Sequence, residues 1–282
     1  MTRWVARILA LTVIAVLAVG SGISATQAAE GDFSLVPKSR LTKAPYNGIA
    51  LVTVGDRVVC TGFIVAPRKV VTAAHCLVRN ASGGDYRLKS GLTDRLRVYR
   101  GYSRNAGGSP YRSCPVSKAW AHSKFVKGGK KDQAFGSRAH DYAVLTTKVG
   151  CKFPWNSVLR MWGTEYGDGK LVSGQLIRAA GYPADPRIDG MNGLNMWRTQ
   201  GRVKPIGSDR RHLIFTGFIS SGMSGGPVWR TYQSNSPCKR THCVVGIVTE
   251  CAINDKGLCK KGLSERVAVR ITPQVKRLIK SK

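Results

Sequence analysis

A serine in a glycine-rich segment is the residue of this sequence best suited to act as a nucleophile. Ser224 lies within residues 218–228, whose sequence is FISSGMSGGPV. Such a turn can expose a serine hydroxyl and direct backbone N–H groups at one point, where they stabilise the oxyanion of a tetrahedral intermediate. The predicted donors are the amides of Gly222 and Ser224, because glycine at 222 allows an unusual peptide orientation. Taken alone, the segment also fits an ordinary Gly/Ser turn.

A histidine and an aspartate in two other segments have the chemistry to activate that serine. His75 follows an apolar run in VVTAAHC (70–76), and Asp141 begins DYAVL (141–145). An imidazole can take the serine proton near neutral pH because its ordinary pKa is about 6.5. A carboxylate beside the imidazole fixes its tautomer and stabilises the imidazolium. Singly, the histidine also fits a polar residue at a strand end, and the aspartate also fits a turn residue.

Together these segments resemble the catalytic blocks of chymotrypsin-like serine proteases, in that family's chain order of His, Asp and Ser. The resemblance rests on TAAHC (72–76), DYAVL (141–145) and SGMSGGPV (221–228). It implies an all-β fold of two antiparallel six-stranded β-barrels with the active site in the cleft between them. It also implies an endopeptidase that needs no cofactor or metal, acts as a monomer and forms an acyl-enzyme on Ser224. His75 would then be the general base and acid, and Asp141 would orient it.

Further segments resemble the V8-like, glutamyl-endopeptidase branch of that family. They are AGYP (180–183), NMW (195–197) and GRV (201–203). Met223 stands immediately before the serine, where trypsin-type zymogens carry an aspartate that pairs with a freed N-terminal amine. Because a methionine cannot form that ion pair, we expect activation without it.

The resemblance also suggests which residues line the primary specificity pocket, namely Phe218, Val248, Thr249 and Glu250. Val248 replaces the histidine that glutamyl-specific enzymes have in this strand, and Glu250 would repel an acidic substrate side chain if it faced the pocket. Phe218 lies six residues before the serine, where a trypsin-like enzyme has an aspartate. Arg266 would restore an acidic preference if it reached the pocket. The preferred substrate residue therefore stays open.

The eight cysteines indicate disulfides rather than a zinc site, because paired C-x-x-C or histidine ligand spacing is missing from the sequence. The resemblance implies a Cys60–Cys76 bridge that braces the histidine loop. The pairing of the other six stays open, although proximity along the chain suggests Cys114–Cys151, Cys238–Cys243 and Cys251–Cys259.

The order of segments along the chain predicts an exported protein with two β-rich halves. Residues 1–29 combine a basic start, a short apolar core and small residues, which is typical of a secretory signal peptide. Residues 30–45 form an N-terminal arm or pro-segment, 46–155 the first barrel with His75 and Asp141, and 156–282 the second barrel with Ser224. Thr272 and Pro273 are suited to begin a C-terminal helix that presents Val275, Leu278 and Ile279 on one face.

The charge of the chain is strongly positive, with 45 Lys and Arg residues against 15 Asp and Glu residues and a net charge of +30. Such a field attracts anionic partners, so the expected protein or peptide substrates include acidic ones. The positive charge also fits an alternative function, in which the chain is a catalytically weak protein of protease fold that binds anionic surfaces or polymers. The sequence carries no nucleic-acid recognition motif and no later stretch apolar enough to span a membrane. The remaining histidines are interpreted as surface or turn residues: His122, His140, His212 and His242.

Overall fold

The computed structural model describes most of the chain after residue 32. The described ranges are 33–80, 86–88, 91–108, 111–128, 139–162, 173–186, 190–204, 211–230, 242–251 and 266–282. The predicted signal peptide, Cys238 and Cys259 lie outside these ranges.

Strands are the predominant regular element of the described structure. They are β1 Phe33–Leu35, β2 Ile49–Val54, β3 Arg57–Ala66, β4 Lys69–Thr72, β5 Val78–Asn80, β6 Tyr86–Leu88, β7 Leu96–Arg100, β8 Cys114–Ala121, β9 Ala143–Thr147, β10 Arg160–Met161, β11 Leu176–Gly181, β12 Trp197–Arg202, β13 His212–Phe215, β14 Pro227–Arg230, β15 Cys243–Cys251 and β16 Arg266–Arg270. The α-helices are α1 Leu92–Arg95, α2 Ser123–Gly128 and α3 Pro273–Ser281, and a 3₁₀ turn at Ala74–Cys76 follows β4.

Six strands close into the first barrel, in the order β2-β3-β4-β9-β8-β7 with antiparallel pairing throughout. The alternation of buried and partly buried residues along Leu96–Arg100 is the period of two that a strand with one face on a core produces. Ile64, Val70, Val98 and Leu145 are fully buried inside this barrel. Because Thr72 pairs with Ala143, β4 ends and β9 begins at the same rim. His75 follows β4 there, and Asp141 precedes β9.

The second sheet is ordered β1-β12-β11-β14-β15-β16-β13. A bridge between Val203 and Phe215 brings β13 back beside the end of β12, and the amide of Thr216 donates to the carbonyl of Arg202 at 2.9 Å. These contacts curve six strands, from β12 round to β13, into the second barrel-like unit. A short strand, β10, lies off this order and pairs with β15 in parallel. This strand follows the crossing from the first barrel and enters the second unit beside β15.

The N-terminal arm and the C-terminal helix both pack on this framework. Phe33–Leu35 forms a strand at the edge of the second sheet, paired with β12, and Val36 and Leu41 are buried. The Thr272 side chain accepts a hydrogen bond from the amide of Val275 at 3.2 Å, which caps α3 as the sequence predicts. Ile279 of that helix is fully buried.

Two disulfides lie in the first barrel, Cys60–Cys76 and Cys114–Cys151, with Cα–Cα distances of 6.2 and 5.5 Å. Cys243 is also disulfide-bonded. A search of the described helices found none with the length and apolar character needed to cross a membrane.

Candidate active site

His75 lies in the 3₁₀ turn that follows β4, at the rim of the first barrel. The neighbouring Cys76 is bonded to Cys60 on β3, so the turn is fixed covalently to the barrel wall. The His75 side chain is 38% exposed, which leaves part of the imidazole open to a substrate. The barrel thus presents a histidine on a rigid base while keeping one edge of its ring accessible.

Asp141 lies at the tip of a tight turn immediately before β9. The amide of Tyr142 donates to the carbonyl of His140 at 2.8 Å, which closes the turn around the aspartate. The Asp141 side chain is only 6% exposed. Tyr142 beside it is buried, and burial raises the pKa of its phenol, so this neighbour stays uncharged at neutral pH.

The two oxygens of Asp141 both accept hydrogen bonds from His75. Oδ1 accepts from the backbone amide at 2.8 Å, and Oδ2 lies 2.6 Å from the ring atom Nδ1. A carboxylate at this distance requires a proton on Nδ1, which leaves the lone pair on Nε2. The arrangement fixes both the tautomer and the orientation of the imidazole, which is what a general base needs.

Ser224 lies in a loop before β14 whose backbone is held by several hydrogen bonds. The Met223 amide donates to the carbonyl of Ser220 at 3.1 Å, and the Gly225 amide donates to that of Val248 at 2.6 Å. Gly222 has φ +86°, and a Cβ there would collide with the carbonyl of Tyr182. Only glycine fits this position without strain.

The two amides predicted to bind an oxyanion are those of Gly222 and Ser224. Among the hydrogen bonds of the described residues, neither amide appears as a donor, whereas the intervening Met223 amide is used within the loop. The Ser224 hydroxyl donates to the carbonyl of Thr249 at 3.4 Å. That distance is long for an O–H···O hydrogen bond, so the hydroxyl can turn to another acceptor at small cost.

Thr61, on β3 of the first barrel, connects the histidine barrel to the serine loop. Its amide donates to the carbonyl of Ser224 at 2.9 Å, and its hydroxyl donates to the carbonyl of Gly222 at 2.8 Å. The same hydroxyl accepts from the amide of Tyr182 at 2.9 Å. Thr61 is fully buried, so these contacts are protected from water. Thr61 was not predicted as part of the site, because a threonine in a strand gives no local sign of a partner in another sheet.

Gly225 fits closely against the first barrel. A Cβ at this position would collide with the carbonyl of Thr61 and with the hydroxyl of Thr72, and it would lie 2.6 Å from the amide nitrogen of Ala73. Ala73 is two residues before His75. The chain immediately after Ser224 therefore touches the chain immediately before the histidine.

Met223 is fully buried in the core of the second sheet. The position that trypsin-type enzymes use for a charged contact is filled here by an apolar side chain. A buried carboxylate lies nearby, since Asp185 is 3% exposed and its Oδ2 accepts from the Ser220 hydroxyl at 3.4 Å. Asp185 was not predicted from the sequence to lie near the site.

The four residues predicted for the specificity pocket have different environments. Thr249 is buried and accepts the Ser224 hydroxyl, so its backbone lies directly beside the nucleophile. Val248 is fully buried, with its side chain in the core of the second sheet. Phe218 is half-buried, and its ring centroid lies 4.4 Å from that of Phe33. The side chains of Glu250 and Arg266 lie outside the described part of the structure.

Phe33 brings the N-terminal arm to this side of the site. Its ring stacks on Trp197 with a centroid distance of 4.9 Å and an interplanar angle of 13°. The amide of Phe218 donates to the hydroxyl of Thr199 on the same strand as Trp197, at 3.0 Å. β1 and β12 therefore support the segment that begins the serine loop, a contact that the sequence did not indicate.

The four remaining histidines were expected at the surface or in turns, and His140 does lie in a turn. His212 is fully buried in β13, so the prediction of a surface or turn residue is wrong for it. It begins β13, which pairs with β16, and its partner in that pairing is the fully buried Val269. His122 and His140 are partly buried, with ring centroids 4.5 Å apart. His242 is also partly buried, and burial lowers its pKa.

One group of metal-type ligands occurs near the site, formed by His75, Cys60 and Cys76, whose ligand atoms lie within 4.8 Å of one another. Both sulfurs are in the disulfide, so neither is available as the thiolate that binds a metal. The group is consistent with a histidine loop braced by a disulfide.

Two solved structures share this architecture. The structure titled "Glu endopeptidase in complex with MPD" has 22% sequence identity and a TM-score of 0.63, covering 90% of this chain and 97% of that one. The protease Anisep of Arthrobacter nicotinovorans has 15% identity and a TM-score of 0.56, covering 83% and 94%. These similarities confirm the predicted chymotrypsin-like fold.

Comparisons of sequence identify the family of this chain. A glutamyl endopeptidase of Bacillus licheniformis is 25% identical over 199 residues, which are 70% of this chain and 53% of that protein. The chain thus matches about half the length of this relative. The family model of the trypsin-like peptidase domain matches residues 60–234, which is more than half of the chain. The chain belongs to the trypsin-like peptidase family.

Proposed function

We propose that this protein is a secreted serine endopeptidase that hydrolyses peptide bonds through an acyl-enzyme on Ser224. The observation that carries the proposal is the pair of hydrogen bonds from His75 to Asp141, at 2.8 and 2.6 Å. A buried carboxylate that accepts both the backbone amide and Nδ1 of one histidine has the geometry of an orienting residue. Membership of a peptidase family supports the same activity.

In the first half of the proposed reaction, Nε2 of His75 takes the proton of the Ser224 hydroxyl as the oxygen attacks the peptide carbonyl. The carbonyl oxygen becomes an oxyanion and accepts hydrogen bonds from the amides of Gly222 and Ser224. Asp141 stabilises the imidazolium that forms and stays ionised. The imidazolium then donates its proton to the leaving amine, and the C–N bond breaks to leave an ester on Ser224.

In the second half, water replaces the amine product. His75 takes a proton from the water, whose oxygen attacks the ester carbonyl, and the same two amides stabilise the second oxyanion. When the ester C–O bond breaks, the proton returns to the oxygen of Ser224. The new carboxylic acid is released, and the enzyme regains its starting protonation state.

The proposed substrates are proteins and peptides, including acidic ones that the net charge of +30 attracts. One relative is named a glutamyl endopeptidase, but a glutamyl preference here would need a donor other than Val248. The side chain of Val248 is apolar and fully buried. Cleavage of a mixed peptide library, read by mass spectrometry, identifies the preferred residue.

We also propose that the mature enzyme is exported and keeps its N-terminal arm. The disulfides suit an oxidising compartment, and residues 1–29 have the composition of a secretory signal. Val36 and Leu41, each 2% exposed, pack with the core, so removing the arm would uncover apolar surface. N-terminal sequencing of the active enzyme should give a start between residues 25 and 33, whereas a start after Leu41 would contradict retention.

The proposed function is tested by Ser224→Ala with Ser221→Ala as a matched control. Ser221 lies in the same loop and is exposed, and its carbonyl, which the substitution keeps, accepts from the amide of Ala184 at 2.6 Å. The Ser224→Ala protein should fold, lose peptidase activity and lose labelling by a fluorophosphonate probe. Ser221→Ala should keep both. Unchanged hydrolysis by the folded Ser224→Ala protein would overturn the proposal.

A further inference from the structure

A basic cavity lies between the turn that carries Asp141 and the beginning of α3, outside the candidate active site. Its volume is about 660 Å³. Its described lining includes several cationic or basic side chains and neither an aspartate nor a glutamate. The basic residues are His122, Lys124, His140, Arg211, Arg270 and Arg277. A concave site lined by one sign of charge concentrates ions of the opposite sign.

Two histidines form one wall of this cavity. The rings of His122 and His140 are stacked, with centroids 4.5 Å apart and an interplanar angle of 17°. Burial, and then the positive charge of Lys124, lower the pKa of His122. Lys124 therefore acts on this wall as a nearby positive charge, and such a charge also attracts an anion.

The first turn of α3 also lines the cavity. Thr272, Pro273, Gln274 and Val275 all line the cavity, and the helix begins at Pro273. Pro273 has no N–H and the Val275 amide donates to Thr272, so this turn contributes mainly through the positive end of the helix dipole, which favours anionic groups. The positive potential of the helix N-terminus adds to that of the basic side chains, because both line the same cavity.

The cations of the cavity differ in how they can meet a ligand. Lys124, Arg211 and Arg277 are exposed, so a solute can reach them directly. Arg270 is 1% exposed and supplies a positive charge fixed in the cavity wall. Guanidinium groups donate two parallel hydrogen bonds to tetrahedral oxyanions, which suits phosphate better than a single-point charge.

We propose that this cavity is a binding site for a phosphate-type oxyanion, with Lys124 and Arg277 as its principal contacts. The several cations around one cavity fit a multivalent anion, such as a diphosphate, better than a single monovalent ion. The site is separate from Ser224, so binding there does not depend on the proposed peptidase activity.

Isothermal titration calorimetry with inorganic pyrophosphate tests the site. The protein is the full mature chain with Ser224→Ala, which prevents self-cleavage and leaves the cavity lining unchanged. Salt at 0.15 M screens diffuse attraction beyond about 8 Å. One saturable site per chain is expected, and Lys124→Gln combined with Arg277→Gln should weaken binding at least about tenfold.

Lys280→Gln is the matched control. Lys280 is an exposed cation of the same helix as Arg277, and it does not line the cavity. Its loss removes one positive charge from α3 but should change the affinity less than about twofold, because the charge is away from the site. The substituted side chains are exposed, so circular dichroism should show an unchanged fold. Absence of saturable binding, or equal weakening by Lys280→Gln and the double variant, would overturn the proposal.

Discussion

His75 and Asp141 come from the first barrel and are joined there by two direct hydrogen bonds, whereas Ser224 comes from the second sheet. The serine loop reaches the first barrel mainly through backbone groups, among them the carbonyl of Ser224 and the close approach of Gly225. The acid–base pair is therefore local to one unit, while the nucleophile depends on the fit between two. Changes to the pair should affect the chemistry, and changes to the fit should affect alignment.

The largest effect is expected for Asp141→Asn, which acts on the local pair. An amide in place of the carboxylate would stabilise the wrong imidazole tautomer and leave the imidazolium without a counter-charge. In other Ser-His-Asp triads this change lowers kcat by roughly 10⁴-fold, and a similar loss is expected here. The measurement is kcat on a peptide substrate, with Asp94→Asn, an exposed aspartate, as the control. A loss below about tenfold would show that Asp141 does not orient His75.

A second large effect is expected for Gly225→Ala, which acts on the fit between the units. The added Cβ would collide with Thr61 and Thr72, and φ is +84°. A displacement of about 1 Å in the serine can cost about 10²-fold in activity.

Gly107→Ala separates this collision from backbone strain. Gly107 has φ +87°, but no atom lies within 4 Å of where its Cβ would be. The Gly107→Ala protein should lose only the roughly 1–2 kcal/mol of stability that a left-handed backbone conformation costs a non-glycine residue, and its kcat should be unchanged. If both variants retained equal activity, close contact at Gly225 would not align the serine.

A smaller effect is expected for Thr61→Val, which removes the hydroxyl that joins Gly222 and Tyr182. Each buried group left without its hydrogen bond costs about 1–3 kcal/mol. Part of this cost should appear as lower thermal stability and part as a loss of about tenfold in kcat, because the Gly222 peptide would be less firmly held. Thr61→Ser keeps the hydroxyl but lacks the methyl group, and it should retain most of the kcat. If packing volume rather than the hydroxyl mattered for kcat, Thr61→Ser would lose more activity than Thr61→Val.

The smallest effect on catalysis is expected for the disulfides. The two cysteines are 16 positions apart in Cys60–Cys76 and 37 positions apart in Cys114–Cys151. Loop closure predicts that replacing the pair by alanine costs about 3 kcal/mol of stability for the first bridge and about 4 kcal/mol for the second. Only loss of the first pair should also lower kcat, by a few-fold, because Cys76 adjoins His75. Equal kcat values in the two double variants would show that the bridge does not position the histidine.

The sequence predicted the parts of the fold that leave a local pattern. The apolar run that precedes His75 lies in β4, and Thr272 caps α3 as expected. The three catalytic blocks were recognisable because each combines an unusual residue with glycine or an apolar strand. These features are set by neighbours along the chain, so one segment at a time is enough to identify them.

Contacts between distant segments were not predictable in this way. The hydrogen bonds of Thr61 to the serine loop span more than a hundred residues, and nothing near Thr61 in the sequence indicates them. The arm strand at Phe33 depends on the free edge of β12, and the burial of His212 depends on its pairing with β16. Each is decided by which strands become neighbours, a property of the whole fold.

The convergence of the three residues is tested most directly by a crystal structure of the enzyme inactivated with a peptidyl phosphonate. The expected result is a covalent bond from phosphorus to Oγ of Ser224, with a phosphonyl oxygen about 2.7–3.1 Å from the amides of Gly222 and Ser224. Nε2 of His75 should face the reacting oxygens while Nδ1 keeps its bond to Asp141. A phosphonate attached to another residue, or one whose oxygen turns away from both amides, would contradict the proposed active site.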